Sequence, residues 1–434
     1  MYISKKLFLI STIFISTIYF IFAGSSDMEP VTSGKSLALG GYYFAGTDDI
    51  TSAFNNPARI MDFTKNGFAF NITGRSGRQK CRQSENDLHR SFISTDYSGA
   101  AGLYWIPSSS LGFALVYNRA ADYSLDWPWA ISFDQSGTER LYGFHVTAQK
   151  RIDVISPIAG FRFGPLGIGV SANLYRVNNE FGFPVGNYDW ETNQADPVYL
   201  MEMNMQGNAI GWSIGFNYAF NSNFKVGGSL RSGFSQKLDG DAKNDMFFEL
   251  DSLAETTGIE SDFEMPLTGG MGILYKINKN LSINLDFITQ LWGNTITSYE
   301  FNYNDTAWVN RMPKASKDSL TGYYWTDMPV DFKNNFEIAI GLEYKANNDM
   351  HYRFGYRYSK TPNSEQTYSL LYPDVNQHWF STGIGFEYEN YLIDMSCAYS
   401  NGIENDIKEN NDSYFYGKYD NWSLLPSINI EYKF

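Results

Sequence analysis

The sequence is poor in the residues that mark several common classes of protein. It has only two cysteines and four histidines among 434 residues, and its 33 basic residues are outnumbered by 47 acidic ones. The net charge of −14 argues against the basic face with which a nucleic-acid-binding protein displaces counterions from phosphates, so we expect no nucleic-acid partner. Because the cysteines and histidines do not cluster, the sequence predicts no metal site and no cofactor.

Long apolar runs are also missing after the N-terminus. Lys5 and Lys6 precede an uncharged apolar run at residues 7–23, and small residues follow it from Gly24. This order is typical of a secretory signal, so residues 1–23 are predicted to be a signal peptide, with an uncleaved membrane anchor as the alternative. No later run reaches the roughly 18 residues that a spanning helix needs, so any further membrane insertion must use β-strands.

The sequence is rich in aromatic residues and glycine. Aromatic residues make up 17% of the chain and there are 38 glycines, although the mean hydropathy is only −0.33. A transmembrane barrel needs such a composition, because it covers itself with apolar side chains and places aromatic girdles at both membrane interfaces.

A period of two residues recurs along the chain and is clearest at the C-terminus. Ile428, Ile430 and Tyr432 alternate with Asn429 and Glu431. Alternation places the two sets on opposite faces of a strand, with the apolar face predicted to meet lipid and the polar face a lumen. The same pattern appears at residues 212–220, 281–287, 336–344 and 352–358.

The connections between these segments alternate between short and long. Short turns are predicted at residues 107–110, 164–165, 221–223, 278–280 and 347–349, and long polar loops near 122–140, 179–205, 237–266, 294–329, 361–376 and 402–420. This series predicts an all-β fold, a transmembrane antiparallel β-barrel of about 14 strands. An even number of strands closes the sheet without an exposed edge. The fourth strand is the least regular, because Pro157 interrupts its pattern.

One segment, residues 33–60, lies between the leader and the strands and follows neither period. It resembles the N-terminal hatch of the FadL/TodX family of outer-membrane transporters. The C-terminal third, residues 328–400, is also similar to this family in its order of strands, turns and a Pro-Asp loop. The matching hatch residues are Gly40, Gly41, Asn55, Asn56, Pro57 and Ala58.

The resemblance implies an N-terminal hatch at residues 24–64 that plugs the lumen of a barrel formed by residues 65–434. It also implies an outer-membrane channel through which long-chain fatty acids or other hydrophobic compounds diffuse passively when ligand shifts the hatch. In the family, exit is sideways through the wall, which here would involve residues 111–117. The implied partners are a hydrophobic small molecule, outer-membrane lipid and, during biogenesis, the barrel assembly machinery that reads a terminal aromatic such as Phe434; we expect a monomer.

Two alternative functions fit the same fold. Some relatives are components of secretion or surface-attachment systems, and the long loops, rich in Asn, Asp and Tyr, suit a protein partner. An open porin for small polar solutes is the other alternative, against which the predicted hatch argues.

Two sets of residues are candidates for ligand contact. Parity places Arg353 and Arg357 in the lumen, where a guanidinium pairs with a carboxylate, although Glu337 and Glu343 on the preceding strand favour a cross-strand ionic ladder. In the loop at residues 245–258, helical spacing groups four apolar side chains that either capture ligand or cap the barrel. They are Met246, Phe247, Leu250 and Leu253.

Enzymatic functions are disfavoured by the reactive residues. A hydrolase would need serine beside one of the histidines, and no serine is placed by sequence beside them. Cys81 falls in a polar segment predicted to be a loop and Cys397 on the outward side of a late strand, so both are expected to stay unpaired. The four histidines are His89, His145, His351 and His378.

Overall fold

The structure is a computed structural model. It describes residues 33–46, 49–83, 88–135, 138–185, 188–189, 194–195, 199–244, 253–311, 327–347, 349–365, 367–368, 373–408 and 417–434. Within these ranges no helix is long and apolar enough to cross a membrane. The predicted signal peptide lies outside the described residues.

Fourteen antiparallel strands form a closed barrel, as the sequence predicts. Each strand pairs with its neighbours in the chain, and the last strand pairs with the first from Gly67↔Lys433 to Arg82↔Lys418. The first six strands are β1 (Gly67–Gln83), β2 (Leu88–Ser108), β3 (Leu111–Gln135), β4 (Thr138–Phe163), β5 (Leu166–Val185) and β6 (Tyr199–Ala219).

The next four strands are each built from two pieces. These are β7 (Phe224–Arg231 and Phe234–Asn244), β8 (Thr256–Met265 and Thr268–Lys276), β9 (Leu281–Gln290 and Ser298–Tyr303) and β10 (Asp327–Pro329 and Asn335–Asn347). The barrel closes with β11 (Met350–Ser359), β12 (Gln377–Tyr388), β13 (Tyr391–Gly402, extended by Asn405–Ile407) and β14 (Gly417–Lys433). A helix, α2 (Thr306–Arg311), and a short strand pair, Tyr188–Asp189 with Gln194–Ala195, lie outside the barrel sheet.

The wall has two zones, which β6 shows within one strand. Toward the short-turn end its outward side chains are apolar, with Trp212 and Ile214 about half exposed. Toward the long-loop end they are polar, while Met203 and Met205 on the inner side are buried. The polar inner face that the sequence predicts holds for the lipid-facing part of β6, where Ser213 and Asn217 are buried. At the long-loop end the inner face is apolar, because there the outer face meets water instead of lipid.

The strands also extend farther than the sequence predicts. β3 and β4 stay paired from Asp122↔Arg151 to Gln135↔Thr138, so most of the predicted loop at residues 122–140 is a hairpin. Strand residues also occupy much of the predicted loops at 179–205 and 237–266. The sequence did not predict these strand ends, because the expected pattern was apolar side chains on the outer face. In the strand ends the apolar side chains face inward and the polar ones outward.

Two local features explain irregularities in the early strands. The β3–β4 register shifts between Arg119 and Ala121, so even-numbered residues face inward before the bulge and odd-numbered residues after it. One extra residue changes which face a side chain occupies, because strand side chains alternate. Pro157 lies within β4, at a gap in the β4–β5 ladder between Ile155 and Ile158, where its missing N–H removes a donor.

The hatch occupies the lumen. It consists of helix α1 (Gly34–Ala38) and two 3-10 helices, Ile50–Phe54 and Pro57–Asp62. Its helices contact β1–β6 on one side and β11–β14 on the other. Nearly all of its described residues are buried, so the wall encloses them.

Candidate functional site

The predicted glycine pair ends the first helix of the hatch. Ser33 caps α1 by accepting a hydrogen bond from Ser36 N, and Gly40 and Gly41 follow with φ of 100° and 121°. Glycine adopts this region without a steric cost. A Cβ on Gly40 would also lie 3.1 Å from both Ala339 Cβ and Tyr356 O, so this position needs glycine for close approach to the wall as well.

Asn56 joins two parts of the hatch to the wall. Its Nδ2 donates to Phe44 O at 3.0 Å and to Phe216 O of β6 at 3.1 Å, while its Oδ1 accepts from Ala58 N at 3.1 Å and caps the second 3-10 helix. Pro57 is the first residue of that helix, where no N–H is needed. The neighbouring Asn55 O accepts from Ser229 Oγ of β7. Asn55 and Asn56 therefore lie where the hatch contacts β6 and β7, whereas Gly40 lies against Ala339 of β10 and Tyr356 of β11.

A buried carboxylate holds the centre of the hatch. Asp286 of β9 accepts from Tyr43 N at 3.2 Å and Phe44 N at 2.9 Å, and Asn284 Nδ2 donates to it at 2.9 Å. Tyr43 has φ of 60°, a left-handed conformation that costs a non-glycine residue on the order of 1–3 kcal/mol. Asp286 thus fixes a turn that the chain would not adopt alone.

Ion pairs hold both ends of the hatch. Near α1, Lys35 Nζ lies 3.3 Å from Glu343 Oε2. At the other end, Asp62 lies 3.3 Å from Lys225 Nζ and 3.6 Å from an Arg162 guanidinium nitrogen. The hatch is therefore attached to β10 at one end and to β4 and β7 at the other.

The two predicted lumen arginines contact acidic side chains. Arg353 Nε lies 2.6 Å from Glu343 Oε2, and Arg353 also pairs with Asp394. Arg357 lies 3.5 Å from Glu337 and 4.4 Å from the centre of the Trp379 ring. This geometry is a cross-strand ionic ladder, the alternative to a ligand site that the sequence also predicts.

Tyr42 of the hatch joins that network. Its hydroxyl donates to Glu337 Oε1 at 3.0 Å. Burial, and then the negative charge of Glu337, raise the pKa of Tyr42 well above its usual value. The phenol therefore remains a neutral hydrogen-bond donor, and the arginine network also supports the hatch.

On the long-loop side of the hatch, buried apolar side chains cover the inner wall. We call this set the apolar lining, and Phe54 is its hatch member. It was not predicted from the sequence, although the alternation of methionine with polar residues in MEMNM, residues 201–205, is a signal of it. Its larger members include Trp127, Phe181, Met201, Met203, Met205, Phe263, Phe301 and Tyr303.

A small polar group interrupts the apolar lining. Lys150 is buried, with its Nζ 5.4 Å from the centre of the Phe263 ring. Asn179 is its register partner on β5, and Ser261 precedes Phe263 by two residues on β8. Asn179 Oδ1 and Ser261 Oγ are both buried without a hydrogen-bond partner. A cation and two polar atoms are thus present within the apolar lining. A second cation, Arg231, lies at its hatch end, with Cζ 4.6 Å from the centre of the Phe54 ring.

Other predicted positions have mixed outcomes. Leu253 packs against the apolar lining, whereas Met246, Phe247 and Leu250 lie outside the described residues. Cys81 was wrongly placed in a polar loop: it is in β1 and belongs to the apolar lining. Cys397 lies on the outward side of β13.

No group of three or more metal-ligating side chains occurs in the part of the chain that the structure describes. His351 Nε2 lies 3.1 Å from Glu387 Oε1, and His378 Nδ1 lies 2.8 Å from the Tyr356 hydroxyl. These contacts give both histidines polar neighbours in the wall.

A family model described as outer membrane protein transport protein (OMPP1/FadL/TodX) matches residues 17–434. The chain belongs to this family. It is therefore an outer-membrane protein of a family of transport barrels, and its short turns are expected to face the periplasm and its long loops the exterior.

Curated relatives are distant and match in part. The chain is 23% identical over 245 residues to the 47 kDa outer membrane protein of Pasteurella multocida, covering 55% of this chain and 54% of that protein. It is 25% identical over 198 residues to the long-chain fatty acid transport protein of Escherichia coli, covering 44% and 42%. The chain thus spans about half the length of the curated relatives that it matches.

Solved structures share the fold. A Pseudomonas aeruginosa FadL homologue has a TM-score of 0.74 at 14% identity, over 94% of this chain and 100% of that one. The Pseudomonas putida toluene transporter TodX has a TM-score of 0.64 at 12% identity, also over 94% and 100%.

We predict that Asp286→Asn loosens the hatch. An amide oxygen accepts less strongly than a carboxylate, and weakening the two bonds to Tyr43 N and Phe44 N should cost the closed hatch roughly 2 kcal/mol. In planar bilayers, the variant should open to ions more often than the unchanged protein. Asp262→Asn, at an exposed residue of β8, is the matched control and should leave the conductance unchanged. Equal conductance of both variants would contradict the assigned role.

Proposed function

We propose that the protein takes up long-chain fatty acids or similar hydrophobic molecules across the outer membrane by passive diffusion, gated by the hatch. The observation that carries this proposal is the apolar lining, which includes Phe54 of the hatch. A molecule that contacts the lining at Phe54 also contacts the hatch, so binding and opening share this residue.

The composition of the lining supports an apolar substrate. Methionine side chains are flexible and polarizable and adapt to ligands of different shape, and they lie here among aromatic rings. The names of two similar proteins are consistent with an apolar substrate. One is called a long-chain fatty acid transport protein and the other a toluene transporter.

Lys150, Asn179 and Ser261 favour a carboxylate at one end of the substrate. A buried ammonium attracts an anion strongly in a medium of low dielectric constant, and the two polar atoms offer further hydrogen bonds. A long-chain fatty acid combines such a carboxylate with an apolar tail. Carboxylate capture by Arg353 and Arg357 stays a prediction; their acidic neighbours support a role in holding the hatch.

The proposed exit is sideways through the wall next to the bulge in β3. Residues 111–117, where the family resemblance placed it, are paired with both β2 and β4. The β2–β3 ladder spans Ala100–Ser108 and Leu111–Asn118, and the bulge at Ala120 follows immediately. We infer that the wall opens more easily beyond Asn118 than within 111–117, because fewer backbone bonds must break.

This mechanism requires neither catalysis nor a cofactor, and we propose that the protein acts as a monomer surrounded by outer-membrane lipid after insertion by the barrel assembly machinery. The buried hatch argues against an open porin. A role in secretion or surface attachment remains the alternative for the long-loop end.

Replacing Lys150 by methionine tests the proposed carboxylate contact. Binding of oleate and oleyl alcohol to the purified protein would be compared by calorimetry. Lys150→Met should weaken oleate binding roughly tenfold, about 1.4 kcal/mol, and leave oleyl alcohol binding unchanged. Lys237→Met, at an exposed lysine of β7, is the control. A loss for both ligands, or for neither, would exclude Lys150 as the carboxylate partner.

A disulfide between hatch and wall tests gating. A Cβ on Gly102 of β2 would lie 3.6 Å from Ile50 Cβ, within the range of a disulfide. In a background with Cys81→Ala and Cys397→Ala, the pair Ile50→Cys and Gly102→Cys should stop oleate uptake into cells when oxidised, and reduction should restore it. Each single cysteine variant is a control and should transport under both conditions. Unchanged uptake by the oxidised pair would show that the hatch does not move at Ile50.

A further inference from the structure

The outer wall has an apolar groove at the level of the hatch. It has a volume of about 510 Å³ and crosses β5–β9. Its rim is formed by Ile214, Leu230, Met271 and Phe287, all outward-facing and between 39% and 56% exposed. This groove lies on the opposite side of the wall from the apolar lining and the hatch, so the transport path does not use it.

An outward-facing glycine, Gly269 of β8, lines the floor of the groove. It is the register partner of Leu230 on β7. A Cβ on Gly269 would have Leu230 Cδ1, at 3.7 Å, as its nearest neighbour, so the space above it is open. Glycine within a strand often marks a site where a ligand approaches the backbone closely.

The inward-facing glycines of the same strands have a different reason. A Cβ on Gly270 would lie 2.2 Å from Phe44 Cζ, and one on Gly227 would lie 2.5 Å from Phe44 O. These residues let the hatch press against the inner face. The hatch does not explain Gly269, because this residue faces the other side of the wall.

We propose that this groove binds one acyl chain of an outer-membrane lipid. The groove is continuous with the outward-facing apolar belt, which includes Trp212 and Phe216 and is the surface that lipid covers in an outer-membrane barrel. Moving a chain from bulk lipid to the groove removes no surface from water, so the preference arises from packing against a concave apolar surface. The proposal does not depend on which substrate the barrel transports.

Photolabelling tests the groove. The full chain would be placed in phosphatidylethanolamine vesicles that contain a trace of the same lipid with a diazirine in its acyl chain, and labelled peptides would be identified by mass spectrometry. Groove residues of β8 should be labelled about five-fold more than equally exposed belt residues of β2 such as Leu103, the bias that about 1 kcal/mol produces. Uniform labelling of the belt would overturn the proposal.

Matched variants separate the groove from general lipid contact. Gly269→Leu fills the groove and should abolish the excess labelling, whereas Gly99→Leu, at an outward-facing glycine of β2 with only Asn71 O nearby, should preserve it. Phe287→Ala removes one side chain from the rim of the groove and should lower the excess labelling. This variant keeps the test decisive if Gly269→Leu does not fold. Excess labelling that persists in Gly269→Leu would contradict the site.

A competition arm identifies the occupant. Saturating oleate should leave the excess labelling unchanged, and so should Lys150→Met. If oleate removes the label, the groove holds the transported molecule and the assignment to lipid is wrong. Failure of the proposed transport function would leave the labelling result intact, so the two proposals fail separately.

Discussion

The structure depends on one constraint: the irregular backbone of the hatch must find its hydrogen-bond partners in the barrel wall. A buried N–H or C=O without a partner costs free energy comparable to a lost hydrogen bond. Asp286 supplies two acceptor contacts to the Tyr43–Phe44 turn, and Asn56 joins Phe44 O to β6. Glycines on the inner wall permit this proximity, since a side chain at Gly270 would collide with Phe44.

The apolar lining covers the inner wall on the long-loop side of the hatch. The ends of the hatch are attached by ion pairs through Lys35 and Asp62, whereas its centre, which contains the left-handed turn at Tyr43, is held by hydrogen bonds. We expect the centre to yield first, because the turn is strained and a few bonds to Asp286 and Asn56 restrain it. Phe54 links this part of the hatch to the apolar lining.

The fold was largely predictable from the sequence, because lipid on one side imposes a period of two on every membrane-facing segment. The family resemblance also located the hatch motif around Asn56. The sequence did not reveal the strand ends beyond the membrane, the bulge at Ala120 or the role of Asp286. These depend on register, and one inserted residue changes which face every later side chain occupies.

The most direct test of the account is amide hydrogen exchange at Tyr43 and Phe44, with and without saturating oleate. If filling the apolar lining displaces the hatch centre, both amides lose Asp286 as acceptor and should exchange faster, while the paired amides of β1 and β14 remain protected. Unchanged or slower exchange at Tyr43 and Phe44 in the oleate-bound protein would contradict a hatch that opens from its centre.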